Sequence, residues 1–184
     1  MAVALRRRRF TLDEYHRMGE TGILGPQDRV ELIEGEIIEM SPIGSRHAGT
    51  VARIQHLFST RLGDRAVVWS QNPLLLVYHQ SEPEPDIMLL APRPDFYVAR
   101  LPEPPDVQLL IEVADSSLPY DRRTKFPLYA RSGVTEAWLV DLDASRLEIH
   151  RGAGYRDVRI PRTDETFSPG AFVDLPLTVR DLLG

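Results

Sequence analysis

Three residues of this 184-residue chain have the types and the spacing to do chemistry together. They are Asp86 in the stretch Glu84-Pro85-Asp86, Glu112 in the apolar run VQLLIEV, and Lys125 thirteen positions later. Two carboxylates from neighbouring strands can share a divalent cation, with a backbone carbonyl such as that of Val113 as a third ligand and water completing the shell. An ion held in this way polarises a phosphoryl oxygen and lowers the pKa of a bound water. A lysine nearby would neutralise the charge that develops on the phosphate. The chemistry expected is cation-assisted hydrolysis of a phosphodiester. Taken singly, each residue also has a plainer reading: Asp86 as a turn residue at a strand start, Glu112 as half of a buried ion pair with an arginine, and Lys125 as a chance surface lysine.

Composition sharpens the case for Lys125. Of the 22 basic residues, 21 are arginine and one is lysine. Ammonium and guanidinium are not interchangeable where a compact donor is needed, so a single lysine kept against such a bias draws attention. There is no cysteine, which excludes disulfides and thiolate-bound metal. Any ion must be held by oxygen or imidazole ligands, which favours magnesium or manganese. The formal net charge of −5 argues against indiscriminate coating of nucleic acid, although a local basic surface would be enough for a nuclease. No stretch approaches the roughly 18 consecutive apolar residues of a membrane span, and the apolar residues at the start precede the basic run, the reverse of a secretory signal. A cytoplasmic protein without membrane partners is expected, folded as one domain over 1–184 with residues 1–9 as a flexible basic arm.

The elements that must position these residues follow from pattern. Thr11 as N-cap, with Asp13 and Glu14 after it, predicts a short helix to Met18. Arg29 to Met40 reads as a hairpin turning at Glu34-Gly35, with apolar residues alternating against Glu31, Glu36 and Glu39. Val51, Ile54, Leu57, Phe58 and Leu62 give one apolar face to a helix from Ser45 to Leu62. Strands are expected at 66–70, 74–78 and 86–90, then a proline-rich surface loop over 91–105. Val107 to Val113 has the look of a central strand covered on both faces, with Glu112 sharing a face with Leu110 and Ala114.

A helix over 121–131 ends at Gly133. Because Pro127 interrupts it, either it kinks or its first regular turn begins near Lys125. Strands at 137–141, 146–151 and 155–160 and a closing helix over 177–183 complete the chain. Trp69 and Trp138 are expected in the core. The fold class predicted is α/β (α+β), a central mixed sheet flanked by helices.

Read as an ordered set, the stretches VELIEGEIIEMSPIGSRH at 30–47, EPDIMLL at 84–90 and VQLLIEVADSS…DRRTKFPLYARSGVTEAWLVD at 107–141, continuing into RLEIHR, resemble the Uma family, a restriction-endonuclease-like bacterial branch of the PD-(D/E)XK superfamily. The resemblance implies a restriction-endonuclease-like core and a magnesium- or manganese-dependent endonuclease acting on nucleic acid, in the first place DNA. Asp86 and Glu112 match the metal ligands. The usual pattern has a lysine two residues after the glutamate, where this chain has Ala114, and the resemblance implies that Lys125 on the next helix replaces it. Glu31 matches an acidic residue of the first strand that could complete the metal shell, or else remain a solvent-facing hairpin carboxylate. His47 matches a recurring histidine for phosphate contact or helix capping. Gln55 and Tyr129 are weaker second-layer candidates, Tyr129 also fitting plain core packing. Cutting both strands of a duplex implies a two-fold homodimer. The competing expectation is a catalytically silent relative that keeps the fold as a scaffold for nucleic acid or a protein partner.

Overall fold

A computed structural model describes residues 7–184. Residues 1–6 of the expected basic arm lie outside it. Within it, Arg8 pairs with Glu14 and the Arg9 guanidinium donates to the Glu34 carbonyl at 2.5 Å, so this part of the arm is tied down.

Helix α1 (Leu12–Glu20) opens with a reciprocal cap: Thr11 Oγ1 accepts from the Glu14 amide, and Glu14 accepts from the Thr11 amide. Strands β1 (Val30–Ile33) and β2 (Glu36–Glu39) form a separate two-stranded antiparallel sheet. Its turn places Glu34 and Gly35 at φ 49° and 78°, the primed geometry of a two-residue hairpin. Gly35 is required there twice over, since a Cβ would also lie 2.7 Å from that of Arg9.

The main sheet has six strands in the order β3 (Val67–Ser70), β4 (Ile87–Leu90), β5 (Val107–Ala114), β6 (Glu136–Asp141), β7 (Arg146–Arg151), β8 (Asp157–Arg159). All neighbours are antiparallel except β5 and β6, which are parallel and joined by the helical segment between them. The sheet is therefore mixed, as predicted. Strand β5 is covered on both sides. Leu109, Ile111 and Val113 join Val51, Ile54 and Phe58 of α2 (Ser45–Leu62) and residues Phe167 to Leu182 of the C-terminal segment in one core. Leu110 and Ala114 join Phe126, Tyr129 and Ile33 in the other. Glu112 alternates with Leu110 and Ala114, so it faces the hairpin side of the sheet.

The segment after β5 is helical from Leu118 to Ser132 in three pieces: an α turn α3 (Leu118–Tyr120), a π-helical turn over Asp121–Lys125, and α4 (Phe126–Ser132). Pro127 lies in the first turn of α4, where its missing N–H costs least, and Gly133 closes the helix at φ 94°. Neither outcome posed for Pro127 holds as stated: a first α turn lies at Leu118–Tyr120, and after the π turn regular α-helix resumes at Phe126.

Residues 74–78 are not a strand. Leu74 and Leu76 are buried, which produced the alternating pattern, but Pro73, Pro83 and Pro85 leave too few amide donors for a ladder. The segment instead doubles back through a 3₁₀ turn at Val77–His79 and one bridge, Leu76 to Ser81. Strand β8 is also shorter than expected. Tyr155 leaves the sheet and packs on Phe126 and His150, with ring centroids at 6.0 and 5.8 Å. Trp138 is fully buried, whereas Trp69 is half-buried at the sheet edge against Tyr97. The closing helix is α5 (Val179–Leu183), capped by Thr178.

Candidate active site

The site sits where β4 begins and β5 ends. In the register of this pair Ile87 faces Ile111, so Asp86 stands opposite Glu112 and Pro85 would stand opposite Val113. Proline cannot continue the ladder, and the Asp86 carboxylate takes over, accepting from the Val113 amide at 2.8 Å. In a strand, a residue's carbonyl points to the same edge as its amide, so the Val113 carbonyl also faces the Asp86 side. The Asp86 amide lies 3.4 Å from Glu112 Oε2. The first two predicted residues are thus locked side by side by the end of the sheet itself.

Lys125 comes from the π-helical turn. Its Nζ lies 2.9 Å from Glu112 Oε1 and 3.4 Å from Glu31 Oε2. The π turn is one residue wider than an α turn and delivers Asp121 and Lys125 toward the cleft together, with Tyr129 four residues further on the same side. The side chains of Lys125, Glu112 and Glu31 are 7, 4 and 3 % exposed, so the lysine is a buried counter-ion between two buried carboxylates.

Glu31 is not the solvent-facing hairpin carboxylate that its alternation allowed. The hairpin lies over the sheet's site end, and Glu31 accepts from Tyr120 OH at 3.2 Å and from the Glu84 amide at 3.2 Å besides pairing with Lys125. His47, in the first turn of α2, lies with Nε2 3.1 Å from the Asp86 carboxylate. Helix α2 begins after Gly44 with no side-chain cap, so His47 does not cap it. Gln55 is exposed on α2 and lies outside the cleft.

These groups line a cleft of about 400 Å³. Among the described residues, seven carboxylates border it, those of Glu31, Glu39, Glu84, Asp86, Glu112, Asp115 and Asp121, against two permanent cations, Arg29 and Lys125. The imbalance shows in the titration of the buried acids. Burial pushes Glu112 up to about 8; Lys125 pulls against this, while Asp86 and Asp121 add to it. Burial raises Asp121 and Glu84 as well. Burial alone would lower the Lys125 amine, but Glu112, Glu31 and Asp121 outweigh it and hold the amine well above its ordinary value. The hydrogen bond that His47 donates to the Asp86 carboxylate raises the imidazole.

This oxygen-rich, cation-poor donor set suits a hard divalent ion. Among the described residues, no three histidine, aspartate or glutamate side chains are drawn together closely enough to hold one unaided. An ion here would take Asp86, Glu112, the Val113 carbonyl and water.

Asp121 and Tyr120 were not anticipated. Asp121 is buried, accepts from Ser117 Oγ at 2.6 Å and faces the cleft. Its signal in the sequence was its position four residues before Lys125, with Tyr129 four after, one helical face carrying all three.

A family model described as "Putative restriction endonuclease" matches residues 12–180. The chain belongs to this family, Uma2. No curated protein sequence matches the chain. A solved structure titled as a putative nuclease belonging to DUF820, from Anabaena variabilis ATCC 29413, superposes with a TM-score of 0.73 at 17 % identity, covering 95 % of this chain and 97 % of that one. That likeness establishes the nuclease-like fold, which here means the six-stranded mixed sheet flanked by helices. Among the described residues, no helix of this Uma2 protein is long and apolar enough to cross a membrane.

Proposed function

We propose that this cleft hydrolyses phosphodiester bonds in DNA as a magnesium- or manganese-dependent endonuclease of the PD-(D/E)XK type. The observation that carries the reading is Lys125 Nζ at 2.9 Å from Glu112 Oε1, on an element thirteen residues away, at the end of β5 where the usual lysine position holds Ala114. In this reading Asp86, Glu112 and the Val113 carbonyl hold the cation. Bound there, it would polarise the phosphoryl group and lower the pKa of the attacking water. Water adds to phosphorus, one ester P–O bond breaks, and the leaving oxygen is protonated. Lys125 offsets charge developing on the phosphate. Glu31 has both oxygens committed to Tyr120, Glu84 and Lys125, so its role is to anchor the lysine rather than to ligate. His47 holds the Asp86 carboxylate in place. Cleavage of both strands of a duplex would call for two copies about a two-fold axis.

The test is plasmid cleavage in magnesium or manganese by the parent, Lys125→Ala and Asp86→Asn, the last of which leaves the Lys125–Glu112 pair intact. Cleavage by the parent and loss in both variants supports the reading; equal activity in all three refutes it. The scaffold alternative draws on one observation, that Lys125 already neutralises Glu112 without help. Calorimetric titration discriminates, because a scaffold binds no manganese at millimolar concentration.

A further inference from the structure

The hydroxyl of Tyr129 has no part in the reading above, and packing does not require it. The ring is fully buried in α4 against Phe126, with centroids 6.2 Å apart, and a phenylalanine would fill the same space. The hydroxyl instead donates to Glu112 Oε1 at 2.6 Å. Lys125 Nζ reaches that same oxygen at 2.9 Å. Two donors, one neutral and one charged, therefore converge on Oε1. Among the described residues, Oε2 has one donor, the Asp86 amide, at the long distance of 3.4 Å.

This asymmetry has a physical consequence. The terminal torsion of a glutamate is broad and roughly two-fold, so a carboxylate with one donor can rotate and exchange its oxygens. Two donors on one oxygen remove that freedom, and buried hydrogen bonds to a carboxylate are the strong kind. Tyr129 and Lys125 lie four residues apart, on successive turns of one helical segment, so both donors approach Glu112 from the same side. The remaining oxygen is left on the side of Asp86.

We propose that Tyr129 is a positioning residue: acting through Glu112, its hydroxyl pins Oε1 so that Oε2 is the oxygen presented beside Asp86 to a divalent cation. The inference rests on the reading of the cleft as a cation-dependent phosphodiester site. It also separates the two donors by task, since the ammonium can respond to phosphate charge while the phenol keeps Glu112 in place.

The test uses the full chain and Tyr129→Phe, which removes one oxygen atom and keeps the ring. Manganese affinity by calorimetry is expected to fall about 10- to 100-fold, the usual effect of losing a partner of a ligating side chain. Plasmid cleavage at low manganese is expected to fall by a similar factor and to recover as manganese is raised, with KM for DNA unchanged. In a Glu112→Gln background, the same substitution should have no further effect on manganese affinity. Parent-like manganese affinity in Tyr129→Phe overturns the proposal, and so does an equal loss in both backgrounds, which would mark a general packing defect. If Tyr129→Phe does not fold, the Tyr129→Phe/Glu112→Gln pair, which removes the phenol donor and the carboxylate's charge, must fold; failure of both overturns the proposal too. If the parent itself neither binds manganese nor cleaves, the reading of the cleft fails, and this proposal with it.

Discussion

Replacing Lys125 by methionine isolates the electrostatics of the site, because methionine keeps most of the stem's volume and removes only the charge and its donors. In the parent, the ammonium is, among the described residues, the one side-chain cation paired with Glu112 and Glu31, and all three side chains are at least nine-tenths buried. Removing one partner of a buried ion pair leaves the other charge uncompensated, which costs roughly 3–5 kcal/mol. For a chain of 184 residues, with an unfolding entropy of about 2.1 cal/mol/K per residue, that corresponds to a fall in Tm of roughly 8–13 °C. The assay is thermal unfolding by calorimetry, without metal, at about pH 9, where Glu112, pushed up to about 8 by burial, is ionised in the parent. The double variant Lys125→Met/Glu112→Gln, which removes charge from both ends, should regain more than half of the loss, because the interaction energy of contacting residues is not additive. A Tm for Lys125→Met within about 2 °C of the parent, outside the range expected for a buried ion pair, would refute the argument that Lys125 is the buried counter-ion of the cleft.

Three further outcomes are expected. Glu31→Gln keeps an acceptor for Tyr120 but loosens the lysine, so cleavage should fall about 10-fold or more with a stability loss of only about 1–2 kcal/mol, read by kinetics and calorimetry in parallel. Gln55→Ala, on the exposed face of α2, should leave both cleavage and stability within about 0.5 kcal/mol of the parent. His150 is half-buried between Phe126 and Tyr155, and desolvation depresses its pKa in spite of Glu148. A base with a depressed folded-state pKa favours the folded state above its unfolded value and loses that contribution as pH falls through the folded one. Stability should therefore drop on acidification below about 6.5, and His150→Gln should flatten that slope.

The parts of the fold that were legible were those set by short-range pattern. Strand β5 announced itself as a seven-residue, mostly apolar run holding one glutamate, and α2 by a 3.6-residue apolar face. Lys125 could be found because it is the chain's single lysine, and Pro127 marked where regular helix resumes after the π turn but not the α turn at Leu118–Tyr120 that precedes it. The fold-back at residues 74–82 was not legible, because two buried leucines two residues apart look like a strand until the lack of ladder donors around Pro73, Pro83 and Pro85 is counted.

Glu31 was ambiguous for a different reason. Its strand alternates like a half-exposed hairpin, and only the placement of that hairpin over the end of β5 buries it. Tyr129 could be named only as a weaker second-layer candidate, since a tyrosine in a packed helix face reads as core unless its partner's position is known. Tertiary placement, not local propensity, decided each of these. Gln55 failed the other way: it lies on the right helix, but on its solvent side.

The central claim is that Asp86 and Glu112 jointly hold a divalent cation within reach of Lys125. A crystal soaked in manganese, with anomalous difference maps calculated at the metal edge, tests it most directly. One strong peak is expected at about 2.2 Å from an Asp86 oxygen, Glu112 Oε2 and the Val113 carbonyl, with Lys125 still within hydrogen-bond reach of Glu112 or turned toward the open cleft. Strong manganese peaks elsewhere with none between Asp86 and Glu112, in a protein that cleaves DNA in the same buffer, would contradict it.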